Sequence, residues 1–509
     1  MAGDVDSRKS TSEYLMKFAG GAVSWQSRLQ KCVVLSTIEV EYIALTEGGK
    51  ELLWMKKLLH ELGLVQENFV LHCDSQSAIH LNMMTKPLPR KKFEFCKKEI
   101  IIAMAILFTW KSSANASLIL FIIAVSFGSM ALGQHGLASR KDPDEKVFNV
   151  LRYGAHPGSE DNALSFIRAW RAACNYRGKA RLLVPKGTFL MGATIFQGPC
   201  QGPAPIKVQI AGTLKAVPDP SMYEEDFWIS FENINGLLVT GTGTVDGQGN
   251  AVWKYSSGDA RFPSSIKFNH VVNGILRQIT SINPMGFHIS IVLSQNIRAK
   301  NLHIFAPADS PNTDGIHISQ TNRVYVSNSV IGTGDDCIGI IRGCSDVRIR
   351  NVTCGPGHGI SIGSLGKYQD EEDVRGITVK NCTLNNTDNG IRIKTFGGSP
   401  PSQASGILFQ DIVMNRVKNP IIIDQFYGNK ESPSRVRLSD VRYQNIRGTS
   451  TSVVGVNIKC SHTVPCERVS LSNISLNYVG EKKNNHEISS VCTNAKLNYA
   501  GFQLPSPCR

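Results

Sequence analysis

Residues 297–307 read IRAKNLHIFAP, and the stretch VYVSNSVIGTG follows at residues 324–334. In both stretches, β-branched residues or leucine alternate with polar residues, an asparagine lies near the middle, and glycine or proline ends the run. Alternation with a period of two predicts a short strand, and the glycine or proline predicts a corner. Each stretch is therefore expected to form strands joined by a turn.

The same apolar-polar unit recurs along the chain. It begins at residues 237, 275, 297, 324, 347, 377, 407, 436 and 469, and successive starts are roughly 22 to 38 residues apart. No segments of helix length separate the units, which disfavours a βαβ sheet, and a β-sandwich would need hairpin turns at regular short spacing. We expect an all-β fold, a right-handed single-stranded parallel β-helix whose coils stack about 4.8 Å apart.

One helix is expected before the first strands. The segment DNALSFIRAWRAAC, residues 161–174, places Leu164, Ile167, Ala169 and Trp170 at helical spacing. The pattern predicts an amphipathic helix that caps the open N-terminal end of the solenoid.

The chain has 509 residues and a formal net charge of +14, which favours an acidic polymer, nucleic acid or an anionic surface as partner. From Gln134 onward there are 40 lysines and arginines and 29 aspartates and glutamates, so +11 of the charge lies in that part. Any preference for a polyanion is therefore expected to reside in residues 134–509.

The first hundred residues have a different character. The run GGAVSWQSRLQKCVVLSTIEVEYIALTEGGKELLWMKKLLHELG, residues 20–63, and HCDSQSAIHL, residues 72–81, resemble the ribonuclease H region of copia-type retrotransposon polyproteins. Residues 36–63 also have the spacing of an amphipathic helix. Two-metal nucleases need a cluster of carboxylates, and only Glu41 and Asp74 match. We expect residues 1–98 to be a truncated α/β remnant without nuclease activity.

Residues 100–133 form an apolar segment in which neither apolar run alone is long enough for a comfortable membrane span. From Met104 the layout is one lysine, the core SLILFIIAVSFGSM and Ala131-Leu132-Gly133 as a small-residue type of cleavage site before Gln134. This layout is typical of a signal peptide, although about a hundred residues precede it. Used as a cleaved signal or as an uncleaved membrane anchor, it would place residues 134–509 outside the cytosol.

The cysteines support an oxidising compartment for the second part of the chain. Three of the 13 cysteines precede the apolar segment, and the other ten begin at Cys174. Four glycosylation sequons, at Asn351, Asn381, Asn385 and Asn473, agree with secretion.

Four short motifs on successive coils carry the candidate chemistry: NTDG at 312–315, GDD at 334–336, GHG at 357–359 and RIK at 392–394. Asp314, Asp336 and His358 are spaced by 22 residues, about one coil, so their side chains should stack on one face. Either aspartate motif alone would be interpreted as a tight turn, in which the aspartate side chain bonds its own backbone. Three carboxylates, a histidine and two cations in register instead indicate a catalytic site.

Glycoside hydrolysis needs one protonated carboxyl group and one ionised carboxylate, and this patch can supply both. The neighbouring Arg392 and Lys394 would bind an anion. In a basic domain, the expected substrate is a polymer of uronic acid.

These motifs are similar, in order and spacing, to those of the polygalacturonases of glycoside hydrolase family 28, over residues 147–509. The resemblance implies that Asp335 is the general acid, that Asp314 and Asp336 activate water, and that His358 supports protonation of the acid. Arg392, Lys394 and Tyr427 would hold galacturonate.

The stretches GPGHGISIGSLGKY, SPNTDGIHIS, VPKGTF and DGQGNAVW look most like plant exopolygalacturonases of the pollen type, which remove single galacturonates from chain ends. The resemblance thus implies a galacturan 1,4-α-galacturonidase acting with inversion. Coil stacking alone would place Asp314 and Asp336 about 5 Å apart, a separation typical of retaining enzymes. We adopt inversion here as the expectation.

The resemblance also implies four disulfides: Cys174 with Cys200, Cys337 with Cys354, Cys460 with Cys466, and Cys492 with Cys508. Cys344 and Cys382 remain unassigned. Relatives usually carry two cysteines where this chain has Gly428 and Ser432, which implies one lost loop disulfide, and they often have serine at Gly339.

Three alternatives remain open: an endo-acting polygalacturonase, a calcium-dependent pectate lyase, and a cell-wall binding protein that has lost activity. The aspartate trio with His358 argues against the lyase. The preferred reading needs no cofactor and no metal, has pectic homogalacturonan as its partner, and involves no nucleic acid in the active domain. We expect a secreted monomer acting in the cell wall, membrane-bound only if residues 100–133 stay uncleaved.

Overall fold

A computed structural model describes residues 3–4, 9–18 and 21–29 by their backbone, and residues 144–255, 262–428, 432–480 and 487–508 with their side chains. The chain divides into two compact units, Met1–His135 and Gly136–Arg509. The predicted helix at 36–63, the carboxylates Glu41 and Asp74, and the apolar segment at 100–133 lie outside the described residues. These features stay predictions, as does the domain boundary at Gln134.

The first unit contains three described strands, β1 (Gly3–Asp4), β2 (Lys9–Phe18) and β3 (Gly21–Leu29). They pair antiparallel in the order β1-β2-β3.

The second unit is built mainly from strands. Its first half contains β4 (Lys146–Asn149), β5 (Ala180–Val184), β6 (Thr188–Met191), β7 (Thr194–Gln197), β8 (Ile206–Ile210), β9 (Thr213–Ala216), β10 (Phe227–Glu232), β11 (Asn235–Thr240), β12 (Thr244–Asp246), β13 (Ser264–Asn269), β14 (Val272–Arg277), β15 (Thr280–Ile282), β16 (Ile289–Val292), β17 (Gln295–Lys300) and β18 (His303–Phe305). Its second half contains β19 (Ile316–Ser319), β20 (Asn322–Gly332), β21 (Ile338–Ile340), β22 (Ser345–Cys354), β23 (Ile360–Leu365), β24 (Val374–Lys380), β25 (Thr383–Asn385), β26 (Asn389–Phe396), β27 (Ser402–Val417), β28 (Asn419–Tyr427), β29 (Val436–Ser450), β30 (Val454–Lys459), β31 (Cys466–Tyr478), β32 (Ser489–Thr493) and β33 (Ala495–Leu504).

These strands stack into two long sheets in which described neighbours pair parallel. An 11-stranded sheet runs β7-β10-β13-β16-β19-β21-β23-β26-β28-β30-β32. In the second, 19-stranded sheet, the strands β11, β14, β17, β20, β22, β24, β27, β29 and β31 carry the nine sequence repeats in stacking order. The predicted right-handed parallel β-helix is confirmed, and the repeat is its coil.

The core consists of inward rows, because alternate residues of each strand point to the same side. In the 11-stranded sheet one such row is aligned in register across successive strands and is at most 2% exposed: Ile266, Ile289, Ile316, Ile338, Ile360, Ile391, Ile421 and Val456. Stacked β-branched side chains pack tightly between coils, which is why this residue type dominates the repeats.

The predicted helix is confirmed as α1 (Ala163–Cys174), which packs on the first strands. Trp170 lies in an aromatic cluster, with its ring centroid 5.2 Å from that of Phe196, and its indole N–H donates to the carbonyl of Gln197. The expected apolar face was wrong at Leu164, which is 50% exposed, whereas Phe166 is buried. Across the described ranges, we find no helix both long and apolar enough for a membrane crossing.

The four disulfides implied by the resemblance are all present: Cys174–Cys200, Cys337–Cys354, Cys460–Cys466 and Cys492–Cys508. Cys344 and Cys382 are free and buried.

Candidate active site

Three loops that precede neighbouring strands of the 11-stranded sheet bring the candidate residues together. Asp314 lies just before β19, Asp335 and Asp336 before β21, and His358 before β23. The loops are stacked by backbone hydrogen bonds, including that from the N–H of Gly315 to the carbonyl of Asp336 at 2.9 Å. Because each coil here has the same length, the 22-residue spacing becomes a stack of side chains at one end of the sheet.

Asp336 is the centre of a buried ionic network. The carboxylate is 3% exposed, and its Oδ1 accepts hydrogen bonds from Oγ of Ser361 and Nη2 of Arg392, each at 2.7 Å. Its Oδ2 accepts from Nζ of Lys394 at 3.0 Å. Two cations and a hydroxyl group therefore compensate one buried carboxylate.

Ser361 links this network to the sheet. Its hydroxyl oxygen accepts a hydrogen bond from Nε of Arg392 at 3.0 Å while it donates to Asp336. Ser361 and Arg392 are register partners on β23 and β26. The guanidinium group is thus held in one orientation by two neighbours.

Asp335 and His358 form a second pair. Nδ1 of His358 lies 2.9 Å from Oδ1 of Asp335. Burial, the largest single influence on Asp335, would raise the pKa of its carboxyl group, but the hydrogen bond and charge of His358, with Lys394 and the backbone N–H of Asp336, outweigh burial and lower the pKa. The hydrogen bond to Asp335 raises the pKa of His358. Both shifts favour placing the shared proton on the histidine.

The pKa of Asp314 is shifted in the opposite direction to that of Asp335. Burial raises the pKa of its carboxyl group to about 6, and the negative charges of Asp335 and Asp336 add to this effect. Nδ1 of His317 lies 3.1 Å from Oδ2 of Asp314 and counteracts the rise. The imidazole ring stacks on Phe287 with ring centroids 4.3 Å apart. His317 is therefore fixed where it tunes Asp314.

The missing side chain of Gly339 leaves only a narrow gap beside Asp314 and Asp336. A Cβ atom at this position would lie 3.2 Å from Oδ2 of Asp314, 3.5 Å from Nδ1 of His317 and 3.8 Å from Oδ2 of Asp336. The space is therefore lined by two carboxylate oxygens and an imidazole nitrogen, which are suitable partners for a water molecule.

Tyr427 borders the cationic side of the site. It ends β28, is 37% exposed, and its ring centroid lies 5.3 Å from Nζ of Lys394. All the site residues expected from the sequence are thus in one cluster: Asp314, Asp335, Asp336, His358, Arg392, Lys394 and Tyr427.

The same cluster includes possible metal ligands. One ligand atom from each of Asp335, Asp336 and His358 lies within 4.8 Å of the others. Both oxygens of Asp336, however, already accept hydrogen bonds from cationic groups. A cation there would be repelled by Arg392 and Lys394, so this set of donors fits an anionic ligand better than a metal.

Sequence reasoning missed His317 and Ser361. Both positions follow the spacing that identified the aspartates, since His317, Gly339 and Ser361 are also 22 residues apart and are aligned in register on β19, β21 and β23. Counting that row in the same way would have placed both side chains beside the carboxylates.

Comparisons with known proteins agree on one family. Residues 174–500 match the family described as glycosyl hydrolases family 28. The chain is 44% identical over 370 residues to an exopolygalacturonase of Platanus acerifolia, covering 71% of this chain and 97% of that protein. It is 43% identical over 400 residues to the exopolygalacturonase clone GBGE184 of Arabidopsis thaliana, covering 75% and 94%.

Solved structures show the same fold at lower identity. An exopolygalacturonase from Thermotoga maritima superposes with a TM-score of 0.60 at 22% identity, covering 70% of this chain and 90% of that one. A polygalacturonase from Erwinia carotovora gives a TM-score of 0.52 at 21% identity, covering 72% and 99%.

Proposed function

This chain belongs to the glycosyl hydrolases of family 28, and we propose that it hydrolyses the α-1,4 linkages of polygalacturonate, removing galacturonate from the non-reducing end. The observation that carries the proposal is the buried contact of Asp336 with Arg392 and Lys394 beside Asp335 and His358. It combines the carboxyl groups that glycoside hydrolysis requires with cations suited to a uronate. The exo-acting mode is supported by the exopolygalacturonases among the relatives.

The Asp335–His358 pair supplies the proton in this proposal. Asp335 donates it to the glycosidic oxygen, and His358 stores it before the substrate binds. Lys394 lowers the pKa of Asp335, and Arg392 lowers that of His358. A substrate carboxylate that neutralises these cations would raise both pKa values, so binding favours the protonated pair. The proton then passes from Nδ1 of His358 to the carboxylate of Asp335 across their hydrogen bond, and Asp335 donates it to the glycosidic oxygen.

Asp314 and Asp336 activate water on the opposite side of the sugar. Asp336 forms ion pairs with Arg392 and Lys394, and Asp314 becomes ionised above its pKa of about 6. One of these two carboxylates takes a proton from a water molecule while the oxygen of that water molecule attacks the anomeric carbon. The bond to the glycosidic oxygen breaks, and that oxygen takes the proton from Asp335. The products are free galacturonate and a chain shortened by one unit.

Extracellular action as a monomer completes the proposal. Four disulfides in the second unit support an oxidising compartment. We also propose that residues 100–133 act as the export signal. Residues 1–98 are then a ribonuclease H-like remnant without activity.

The test is product analysis. The full chain is incubated with polygalacturonate and a chelator, and products are separated by size over time. Asp335→Asn serves as the inactive variant, and Asp370→Asn, which changes an exposed loop residue, as its matched control. We expect monomer alone from the first time point, in the wild type and the Asp370 variant only. A ladder of oligomers would establish an endo enzyme, ultraviolet-absorbing products a lyase, and no new reducing ends a binding protein.

A further inference from the structure

A second basic surface lies on the outer face of the 19-stranded sheet. On β17, Arg298 and Lys300 alternate with the core residues Ile297 and Ala299, so both cations point outward. On β22, Arg348 and Arg350 alternate in the same way with buried residues. Tyr325 of β20, the strand between them, is the register partner of both Arg298 and Arg348. Ser327 of β20 is likewise the register partner of both Lys300 and Arg350.

The surface continues onto the next strand. Lys380 of β24 is the register partner of Arg350. We call Arg298, Lys300, Tyr325, Arg348, Arg350 and Lys380 the basic stripe. Neighbouring strands are about 4.8 Å apart, so five cations fall within four successive strands.

Few acidic groups neutralise this stripe. Arg348 pairs with Asp346 at 3.0 Å, and Lys380 with Asp411 at 3.6 Å. Arg298, Lys300 and Arg350 have no acidic partner within 4.0 Å among residues 144–255, 262–428, 432–480 and 487–508. Like charges held on one rigid sheet repel each other, a repulsion that a bound polyanion would relieve.

The stripe is separate from the candidate active site. Arg392 and Lys394 belong to β26 of the 11-stranded sheet, whereas the stripe belongs to the other long sheet. The inward residues of both sheets form one core, so their outer faces are on different sides of the solenoid. One bound sugar cannot contact both groups of cations.

Tyr325 adds a feature suited to a sugar. It lies in register between Arg298 and Arg348 and is 37% exposed. An aromatic face can cover the apolar side of a pyranose ring while flanking guanidinium groups bind carboxylates. A phosphate backbone would match the charges equally well. We favour a polyuronate, because it is the proposed substrate of the same domain.

We propose that the basic stripe is a second binding surface for de-esterified galacturonan, which holds the polymer while a chain end enters the active site. This inference rests on the proposed function, since it takes the substrate to be a polyuronate. A uronan carries one carboxylate on every sugar, so it can bind several stripe cations at once. Polymer binding should then exceed binding at the active site alone and weaken with salt.

The test compares two triple variants of the full chain with equal charge loss. The stripe variant is Arg298→Gln, Lys300→Gln and Arg350→Gln. The control is Arg152→Gln, Arg171→Gln and Arg177→Gln, which removes three exposed cations near the N-terminal helix. Both are made in the Asp335→Asn background, and retention on immobilised polygalacturonate is measured at low salt with excess trigalacturonate filling the active site. Activity on trigalacturonate is measured in separate versions of both triple variants that keep Asp335.

We expect roughly tenfold weaker polymer retention for the stripe variant, less than twofold for the control, and equal trisaccharide hydrolysis in both. Equal retention of the two variants would overturn the proposal. Tighter binding of RNA or anionic vesicles than of galacturonan to the stripe would also overturn it, by assigning the surface to another partner. Loss of trisaccharide hydrolysis in the wild type would instead refute the proposed function.

Discussion

Nδ1 of His358 lies 2.9 Å from Oδ1 of Asp335, and the backbone N–H of His358 donates to the carbonyl of Asp335 at 2.7 Å. Two contacts between consecutive coils thus fix the orientation of both side chains. Each residue shifts the pKa of the other, so the acid of the proposed reaction and its proton store titrate as a pair.

Replacement of His358 by glutamine should lower kcat on the order of a hundredfold, with a smaller change in KM, because the proton store is lost. The hydrogen bond to Asp335 raises the pKa of His358 above its ordinary value of 6.5, so the native pair keeps its proton to higher pH than a free imidazole would. In the variant, a carboxyl group alone must hold the proton. His358 lowers the pKa of this carboxyl group, so that pKa rises once the histidine is gone, but it rises from below the ordinary carboxyl value. The descending basic limb of the pH–rate profile should therefore move to lower pH, and an unchanged limb would contradict the proton-store role.

Replacement of His317 by phenylalanine should shift the other limb. The hydrogen bond from His317 opposes the effect of burial on Asp314, so its removal should raise the pKa of that carboxyl group above about 6. Phenylalanine keeps the stacking on Phe287. If Asp314 acts as a base, activity rises as this group ionises, and the ascending acid limb of kcat/KM should move to higher pH.

His317→Gln serves as the control for that experiment, because an amide can still donate to Asp314 while the ring is lost. Its acid limb should lie between those of the wild type and of the phenylalanine variant. If His317→Phe is instead more active than the wild type at high pH, Asp314 works in its protonated form. That result would reverse the roles proposed for the carboxyl groups.

The sequence was sufficient to predict the solenoid and the cluster of site residues, because both depend on spacing. Coils of equal length convert 22-residue intervals into stacked side chains, as at Asp314, Asp336 and His358. The position of the proton could not be predicted in this way. The pKa values of Asp314 and Asp335 shift in opposite directions because of burial and neighbouring charges, which appear only in three dimensions.

The helix face shows a second limit of sequence reasoning. Helical spacing alone favoured Leu164, but the helix is oriented by Trp170, which packs against Phe196 and Phe231 of neighbouring strands. That contact buries Phe166 and leaves Leu164 exposed. The orientation of a single-layer cap depends on partners far away in the sequence.

Replacement of Arg392 by lysine should not be conservative. The guanidinium group contacts both Ser361 and Asp336, a geometry that a single ammonium group cannot reproduce. We expect kcat/KM for polygalacturonate to fall on the order of a hundredfold, mainly through KM, with the charge unchanged. A lysine variant with wild-type KM would exclude Arg392 from uronate binding.

Replacement of Lys394 by glutamine should also affect stability. Asp336 is 3% exposed, and loss of one partner leaves a buried carboxylate partly uncompensated. Removal of one partner of such a pair costs about 3–5 kcal/mol, which denaturant unfolding can measure. The double variant Lys394→Gln, Asp336→Asn should recover much of that free energy but no activity. A double variant no more stable than Lys394→Gln would contradict this account of the network.

The gap at Gly339 bears on the stereochemistry of the reaction. Inverting glycosidases need room for a water molecule beside the base, whereas in retaining enzymes a carboxylate attacks the sugar directly. Asp314 and Asp336 both present an oxygen to the space above Gly339, at 3.2 and 3.8 Å from a Cβ position there. A water molecule in this gap would be held by both carboxylates, so we expect cleavage of the α-linkage to release β-galacturonate first. Proton NMR during the first minutes of hydrolysis, before the anomers equilibrate, would measure this. Release of the α-anomer first would mean that one carboxylate is a nucleophile, and the gap would then need another explanation.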